Sequence, residues 1–195
     1  MKINIKNMVS ARCVNQVVII LLDMGIPYLS VELGEIELYK ELSLIQELDL
    51  KFKLKKEGLE FIDDNRTLLS ERIKLIIIQM VHYSEENVKT NFSVYLSEKM
   101  KHNYTYLSNV FRAVNGMTIQ QFIIINKIER IKAFLVYGEL NLSEISYKLN
   151  YSSIAHLSNQ FKKITGLSPT EYRHLEVMQR IPLEQIGRLQ TVAMR

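Results

Sequence analysis

The chain carries one pattern twice. Leu96-Ser97-Glu98-Lys99-Met100 corresponds to Ile145-Ser146-Tyr147-Lys148-Leu149, and Tyr106-Leu107-Ser108-Asn109-Val110-Phe111 to His156-Leu157-Ser158-Asn159-Gln160-Phe161. Further on, Asn115-Gly116-Met117-Thr118-Ile119-Gln120-Gln121-Phe122 matches Thr165-Gly166-Leu167-Ser168-Pro169-Thr170-Glu171-Tyr172. In the second copy, Leu142, Ile145 and Leu149 fall at helical spacing, as do Leu157, Phe161 and Ile164. Between these runs lies Asn150-Tyr151-Ser152-Ser153, where Asn150 suits a left-handed turn and Ser153 an N-cap. Helix, tight turn and helix make a helix-turn-helix, whose second helix can enter a DNA major groove. The chain therefore predicts two such units, about fifty residues apart.

Each copy ends in the same punctuation. A glycine stop is followed by a hydroxyl N-cap with Gln or Glu three residues on, so Thr118/Gln121 and Ser168/Glu171 read as capping boxes, the second with Pro169 at the first helical position. From Ile119 to Val136 the spacing predicts one long helix with Phe122, Ile125, Ile128, Ile131 and Leu135 on its inner face. At about 1.5 Å per residue it spans roughly 27 Å, comparable to the ~34 Å between successive major grooves on one side of a duplex. A rod of that length can present both second helices to one DNA face.

The two recognition helices sort into faces. In the first, Leu107, Val110, Phe111 and Val114 point inward, leaving Thr105, Ser108, Asn109 and Arg112 outward. In the second, Leu157, Phe161 and Ile164 point inward, leaving Ala155, Ser158, Asn159 and Lys162 outward, with Lys163 beside them. Asn can pair with the adenine edge, Ser with several base edges, and an Ala methyl can meet a thymine methyl. Arg112, Lys162 and Lys163 suit phosphates, which position a protein without specifying a sequence. These nine residues are the candidate DNA contacts. His156, at the third helical position, suits either packing or a backbone contact, and His102 reads as an exposed turn residue.

Charge is divided along the chain in keeping with this. Residues 1–65 hold 8 Lys/Arg against 11 Asp/Glu, whereas residues 66–181 hold 15 against 9. A basic half joined to an acidic half implies that only the former faces a polyanion. The single cysteine, Cys13, excludes an intramolecular disulfide and points to a reducing, cytoplasmic compartment. No run approaches the ~18–20 apolar residues of a membrane span, and the apolar stretch Val14 to Met24 lacks a signal-peptide cleavage site.

Residues 1–65 read as strand, helix, strand, strand, helix, strand. Ile3 and Ile5 alternate, with Asn7 as a further candidate position. An amphipathic helix follows through Val14, Val17, Val18, Leu21 and Leu22, with Gly25 as its C-cap. Strands over Tyr28–Glu32 and Glu35–Leu38 turn at Gly34. A helix through Leu42, Ile45, Leu48, Phe52 and Leu54 stops at Gly58, before a last strand over Leu59–Ile62. The order predicts a ferredoxin-like βαββαβ domain, an antiparallel sheet with two helices on one face. Met8-Val9-Ser10-Ala11-Arg12-Cys13 resembles the Met-x-Cys-x-x-Cys loop of the heavy-metal-associated domain, with Ser10 in place of the first cysteine. A hydroxyl is a poor soft-metal ligand. The resemblance thus implies the fold rather than a metal site, with Cys13 left as the one thiol, able to hold a metal only across a dimer. Met8 reads as a lid on the core.

Residues 66–91 form a connecting segment. Leu68, Leu69, Ile73, Ile76, Ile77, Met80 and Val81 predict an apolar helical stripe that needs a partner, either the helical domain or its twin in a homodimer. His82 reads as a surface or cap residue. Beyond Arg173 the last helix can continue from Leu175 to Ile181 until Pro182 ends it; in the tail, residues 177–195, Pro182 to Arg195 could form a short amphipathic segment through Leu183, Ile186 and Leu189, with a frayed tail as the default.

Residues 92–176, with the run Phe161-Lys-Lys-Ile-Thr-Gly166, Ser168-Pro169 and Tyr172-Arg173, closely resemble the DNA-binding domain of AraC-type regulators. The chain departs from that family at Ser146, Asn150, Leu157 and Asn159, where Ala, Gly, an aromatic and often Arg are usual. The resemblance implies a bacterial transcription regulator of the α+β class: a ferredoxin-like domain, then an all-α domain with two helix-turn-helix motifs. Its partners would be double-stranded DNA, RNA polymerase and a second copy through 68–81 or the N-terminal domain. No cofactor, catalytic residue or metal is implied. The competing readings are a metal sensor or carrier built on residues 1–65, and an interaction module with vestigial helix-turn-helix units.

Overall fold

The computed structural model of the chain describes residues 1–84, 92–138, 140–175 and 180–186. Four strands open it, β1 (Lys2–Lys6), β2 (Tyr28–Glu32), β3 (Glu35–Leu38) and β4 (Glu60–Phe61), in the sheet order β2-β3-β1-β4 with every neighbouring pair antiparallel. Ile3 lies opposite Ile36, and the alternation that singled out Ile3 and Ile5 places both in the core. Asn7 does not extend the strand: its φ of 66° ends β1 in the left-handed region. At Gly34 the β2–β3 turn needs φ +83°, and an added Cβ would lie 3.2 Å from Leu75 Cδ1.

Helices α1 (Ala11–Asp23) and α2 (Leu44–Lys56) cover the sheet, burying Cys13, Val17, Ile20 and Leu21 from one and Leu50 and Leu54 from the other. Met8 is fully buried there, as a lid would be. The structure corrects one face. Ile45, Leu48 and Phe52, expected inside with Leu54, are exposed, and only Leu42 and Leu54 of that set pack inward. Helix α2 has apolar residues on both sides, and the i, i+4 pair Leu50/Leu54 is the one in phase with the sheet.

The connecting segment is not a free linker. Asp64 caps α3 (Asn65–Ile78), which runs on as one π-helical stretch, Gln79–Tyr83. Ile73, Ile77, Ile78 and Val81 enter the same core as Leu96, Phe111, Phe122, Leu157 and Phe161. Ile73, Ile77 and Val81 of the 68–81 stripe therefore face the helical core while Leu68, Leu69, Ile76 and Met80 are half-buried, and residues 85–91 of the expected connector lie outside the described residues. Around it stand α4 (Phe92–Met100), α5 (Tyr104–Asn115), α6 (Ile119–Tyr137), α7 (Leu142–Lys148), α8 (Ile154–Thr165) and α9 (Pro169–Arg173). The long helix expected over 119–136 is α6. It buries Ile123 and Phe134 as well as its predicted face, as suits a helix packed on several sides.

Two polar junctions tie the N-terminal module to the helices. Buried Glu71 of α3 accepts from the Asn7 backbone N–H at 3.0 Å and pairs with Lys74 at 2.7 Å. The second junction comes from the tail, and it overturns the frayed reading for residues 181–186. The Ile181 N–H donates to Glu129 Oε2 at 2.9 Å, Ile186 is buried in the helical core, and Glu184 Oε1 accepts from Ser10 Oγ at 2.6 Å. Residues 176–179 and 187–195 lie outside the described residues.

His82 is likewise not a surface residue. It is half-buried, with Nε2 3.2 Å from Oδ1 of the fully buried Asn126, whose Nδ2 donates to the Phe122 carbonyl. That orientation makes the imidazole the donor through Nε2. Burial pushes its pKa down to about 4; the bond to Asn126 opposes this, and the charges of Arg130 and Arg180 add to it. The unfolded chain, with an imidazole near its ordinary 6.5, therefore takes up a proton more readily than the folded one. The contribution is intact above pH 6.5 and fades as pH falls toward 4, costing on the order of 2 kcal/mol by pH 5. Urea titrations between pH 7 and pH 5 should show this loss, and His82→Gln should flatten it; an unchanged profile in the variant would assign the pH dependence elsewhere.

Candidate nucleic-acid interface

The sequence repeat is a repeat of surroundings. The α4–α5 turn passes through Lys101 at φ 53° and the α7–α8 turn through Asn150 at φ 54°, so each unit bends at one left-handed residue. Asn150 was legible as that residue; Lys101 was not, because lysine has no particular taste for this conformation. Asn103 and Ser153 cap α5 and α8 through side-chain oxygens, and Gly116 and Gly166 end them at φ 69° and 80°. Both capping boxes form, Thr118 with Gln121 and Ser168 with Glu171. Even the aromatic lock recurs: Phe111 meets Phe122 edge-on at 5.5 Å, and Phe161 meets Tyr172 edge-on at 5.5 Å.

Burial follows the same register. In α5, Leu107, Val110 and Phe111 are buried while Thr105, Asn109 and Arg112 are exposed and Ser108 is half-buried. In α8, Leu157 and Phe161 are buried while Ala155, Asn159, Lys162 and Lys163 are exposed and Ser158 is half-buried. Spacings of three and four residues put each outward set on one helix face. The structure thus gathers the candidate contacts into two matched clusters, each with a cation in the last turn of its helix. Exposed Tyr106 and Ile154 flank these clusters and were passed over in the sequence. Their only signal is an apolar residue out of phase with the core.

The second unit is fastened to α6 by groups the pattern did not reveal. Tyr151, buried in the turn, donates its hydroxyl to Gln160 Oε1 at 2.6 Å. Lys127 of α6 donates to the Leu149 carbonyl at 2.6 Å and lies 5.0 Å from the Tyr151 ring centroid. Burial lowers the Lys127 pKa and raises that of Tyr151. His156 packs its ring edge-on against Tyr151 and sits 3.0 Å from Ser152 Oγ, so it props the turn while remaining exposed. His102 is an exposed residue of the first turn.

At the N-terminal loop, Ser10 caps α1 and, with Cys13, turns toward Glu184: Ser10 Oγ is 3.3 Å from Cys13 Sγ, and Cys13 Sγ 3.5 Å from Glu184 Oε1. Among the described residues, no three His, Cys, Asp or Glu side chains come together as a metal site would need. No helix among them is long and apolar enough to cross a membrane.

Residues 96–174, the span of the two units, match the family model described as a helix-turn-helix domain. This stretch is a helix-turn-helix domain. Similar proteins include the melibiose operon regulatory protein of Escherichia coli, 24% identical over 117 residues that make up 60% of this chain and 39% of that protein. The F1 operon positive regulatory protein of Yersinia pestis is 31% identical over 104 residues, 51% of this chain and 34% of that one. The chain thus spans well under half the length of these relatives. Among solved structures, the C-terminal domain of AraT, a response regulator from Geobacillus stearothermophilus, aligns with a TM-score of 0.49 at 20% identity, covering 61% of this chain and 94% of that one.

Proposed function

We propose that the chain is a sequence-specific regulator of transcription that binds duplex DNA through α5 and α8, seated in successive major grooves. The observation that carries this reading is the matched pair of outward faces, on helices whose caps, aromatic locks and burial repeat each other. In this reading Ser108, Asn109, Ala155, Ser158 and Asn159 read base edges, with Thr105 at the N-terminal end of α5 beside them, and Arg112, Lys162 and Lys163 hold phosphates. The two units belong to one chain and differ in sequence, so one chain reads two unlike half-sites. RNA polymerase is the partner through which such binding would act on transcription.

Residues 1–65 act as a ferredoxin-like module for sensing or dimerisation. The strand order β2-β3-β1-β4 with two covering helices supports this. Its Ser10–Cys13 loop, in contact with Glu184, serves as a docking point for the tail. Selection of bound duplexes from a random pool tests the reading as a whole. Enriched sites should contain two unlike elements about one helical turn apart, some 10–10.5 base pairs. A pool that yields no enrichment, or only a single element, would overturn it.

A further inference from the structure

The N-terminal module leaves an apolar face uncovered. Strands β1 and β2 both run antiparallel to β3, and β4 runs antiparallel to β1. Helix α1 returns from the end of β1 to the start of β2, and α2 from the end of β3 to the start of β4. The two helices therefore run in opposite directions, side by side on the sheet. On the side away from the sheet, α1 presents Ile19 and Leu22, and α2 presents Leu44, Ile45, Leu48 and Phe52. These six side chains are between 53% and 80% exposed. Scattered apolar residues on a surface are ordinary, but six on the outer face of one helix pair are not.

Charge at the two ends of this face names the occupant. Because the helices are antiparallel, the start of α1 lies beside the end of α2. That end carries Arg12, Lys53, Lys55 and Lys56, against the acids Glu57 and Glu184, the latter held at Ser10 and Cys13. The opposite end carries Asp23 and Glu41 against the base Lys40, with Asp49 just on that side of the middle of α2; Glu47 is held by Lys51 within α2. The surface is an apolar band with one basic and one acidic margin. Such a surface is complementary to itself under a two-fold rotation, which lays the basic margin of one copy on the acidic margin of the other and sets the helix dipoles antiparallel.

We infer that a second copy of this chain covers the face, giving a two-fold dimer through α1 and α2. It is a route to a dimer separate from the 68–81 stripe, whose Ile73, Ile77 and Val81 the helical core takes up. The dimer carries four helix-turn-helix units rather than two. It rests on the exposed face alone, and so is tested without DNA.

Sedimentation of the full chain over a range of concentrations should show a monomer–dimer equilibrium. Ile45→Gln with Leu48→Gln removes four apolar side chains from each dimer without altering charge, and should raise the dissociation constant roughly a hundredfold or more. Both positions are exposed, so the circular dichroism spectrum and the unfolding midpoint should hold. A charge exchange then tests the two-fold geometry. The variant Glu41→Lys/Asp49→Lys has two basic margins and the variant Lys55→Glu/Lys56→Glu two acidic ones. Each alone should dimerise more weakly than the parent, and an equal mixture should form the mixed dimer. A chain that stays monomeric throughout overturns the inference. So does a dimer indifferent to the Gln substitutions, or a mixture in which the two charge variants ignore each other.

Discussion

Replacing both Arg112 and Lys162 with alanine is expected to weaken duplex binding by roughly a hundredfold or more, as the loss of two charge-assisted contacts would. It should also reduce the slope of log affinity against log salt by about two. The two cations occupy the same place in the repeat, in the last turn of α5 and of α8, and both are exposed. Neither is needed for the core, so the cost to folding should remain within about 1 kcal/mol, mostly the loss of a favourable charge at a helix C-terminus. Gel shifts at several salt concentrations, run on duplexes recovered from the selection, give affinity and slope together. The control is Lys2→Ala with Lys6→Ala on β1, which removes the same charge from the chain but away from α5, α8 and the outer face of α1 and α2. If the control weakens binding as much as the test pair, net charge rather than docking explains the loss. If the test pair binds like the parent, α5 and α8 are not the docking face.

Much of this layout was legible because it rests on local chemistry. Capping boxes, glycine stops, the left-handed Asn150 and the periodicity of α6 are each set by a few neighbouring residues, and each sits where the sequence put it. The failures share a different cause. Ile45, Leu48 and Phe52 keep helical spacing whether or not a sheet lies behind them, so periodicity alone cannot choose between the two apolar sides of α2. His82 carries a surface signature in the sequence because its partner, Asn126, comes from a helix more than forty residues on. Glu184 carries no sign of its role in the sequence because the carboxylate's partners, Ser10 and Cys13, stand at the other end of the chain. Contacts made across the chain carry no local mark. At the candidate interface the sequence located the outward faces, whereas the fastening of the second turn by Lys127, Tyr151 and Gln160 emerged only in three dimensions.

Phe161→Ala should cost about 3–5 kcal/mol, the range for removing a fully buried aromatic. Phe161 has no exposed surface, and its ring meets Tyr172 edge-on, so the substitution opens a cavity and ends an aromatic contact. Phe111→Ala makes the corresponding change in the first unit, where Phe122 supplies the edge contact. The two sites test how the repeat is held together. Phe111 and Phe161 lie in one continuous core with α6 and the inward face of α3, not in two separate ones. One core predicts one cooperative transition, so urea unfolding of either variant should shift the same midpoint with little change in slope. The parent itself should show helical-domain unfolding in a single step. If Phe161→Ala instead splits the curve, melting α8 and α9 while α5 stays folded, the second unit is a semi-independent repeat. The long helix would then be a tether between the units rather than the centre of a shared core, and its 19 residues would no longer hold the outward faces of α5 and α8 at a constant separation.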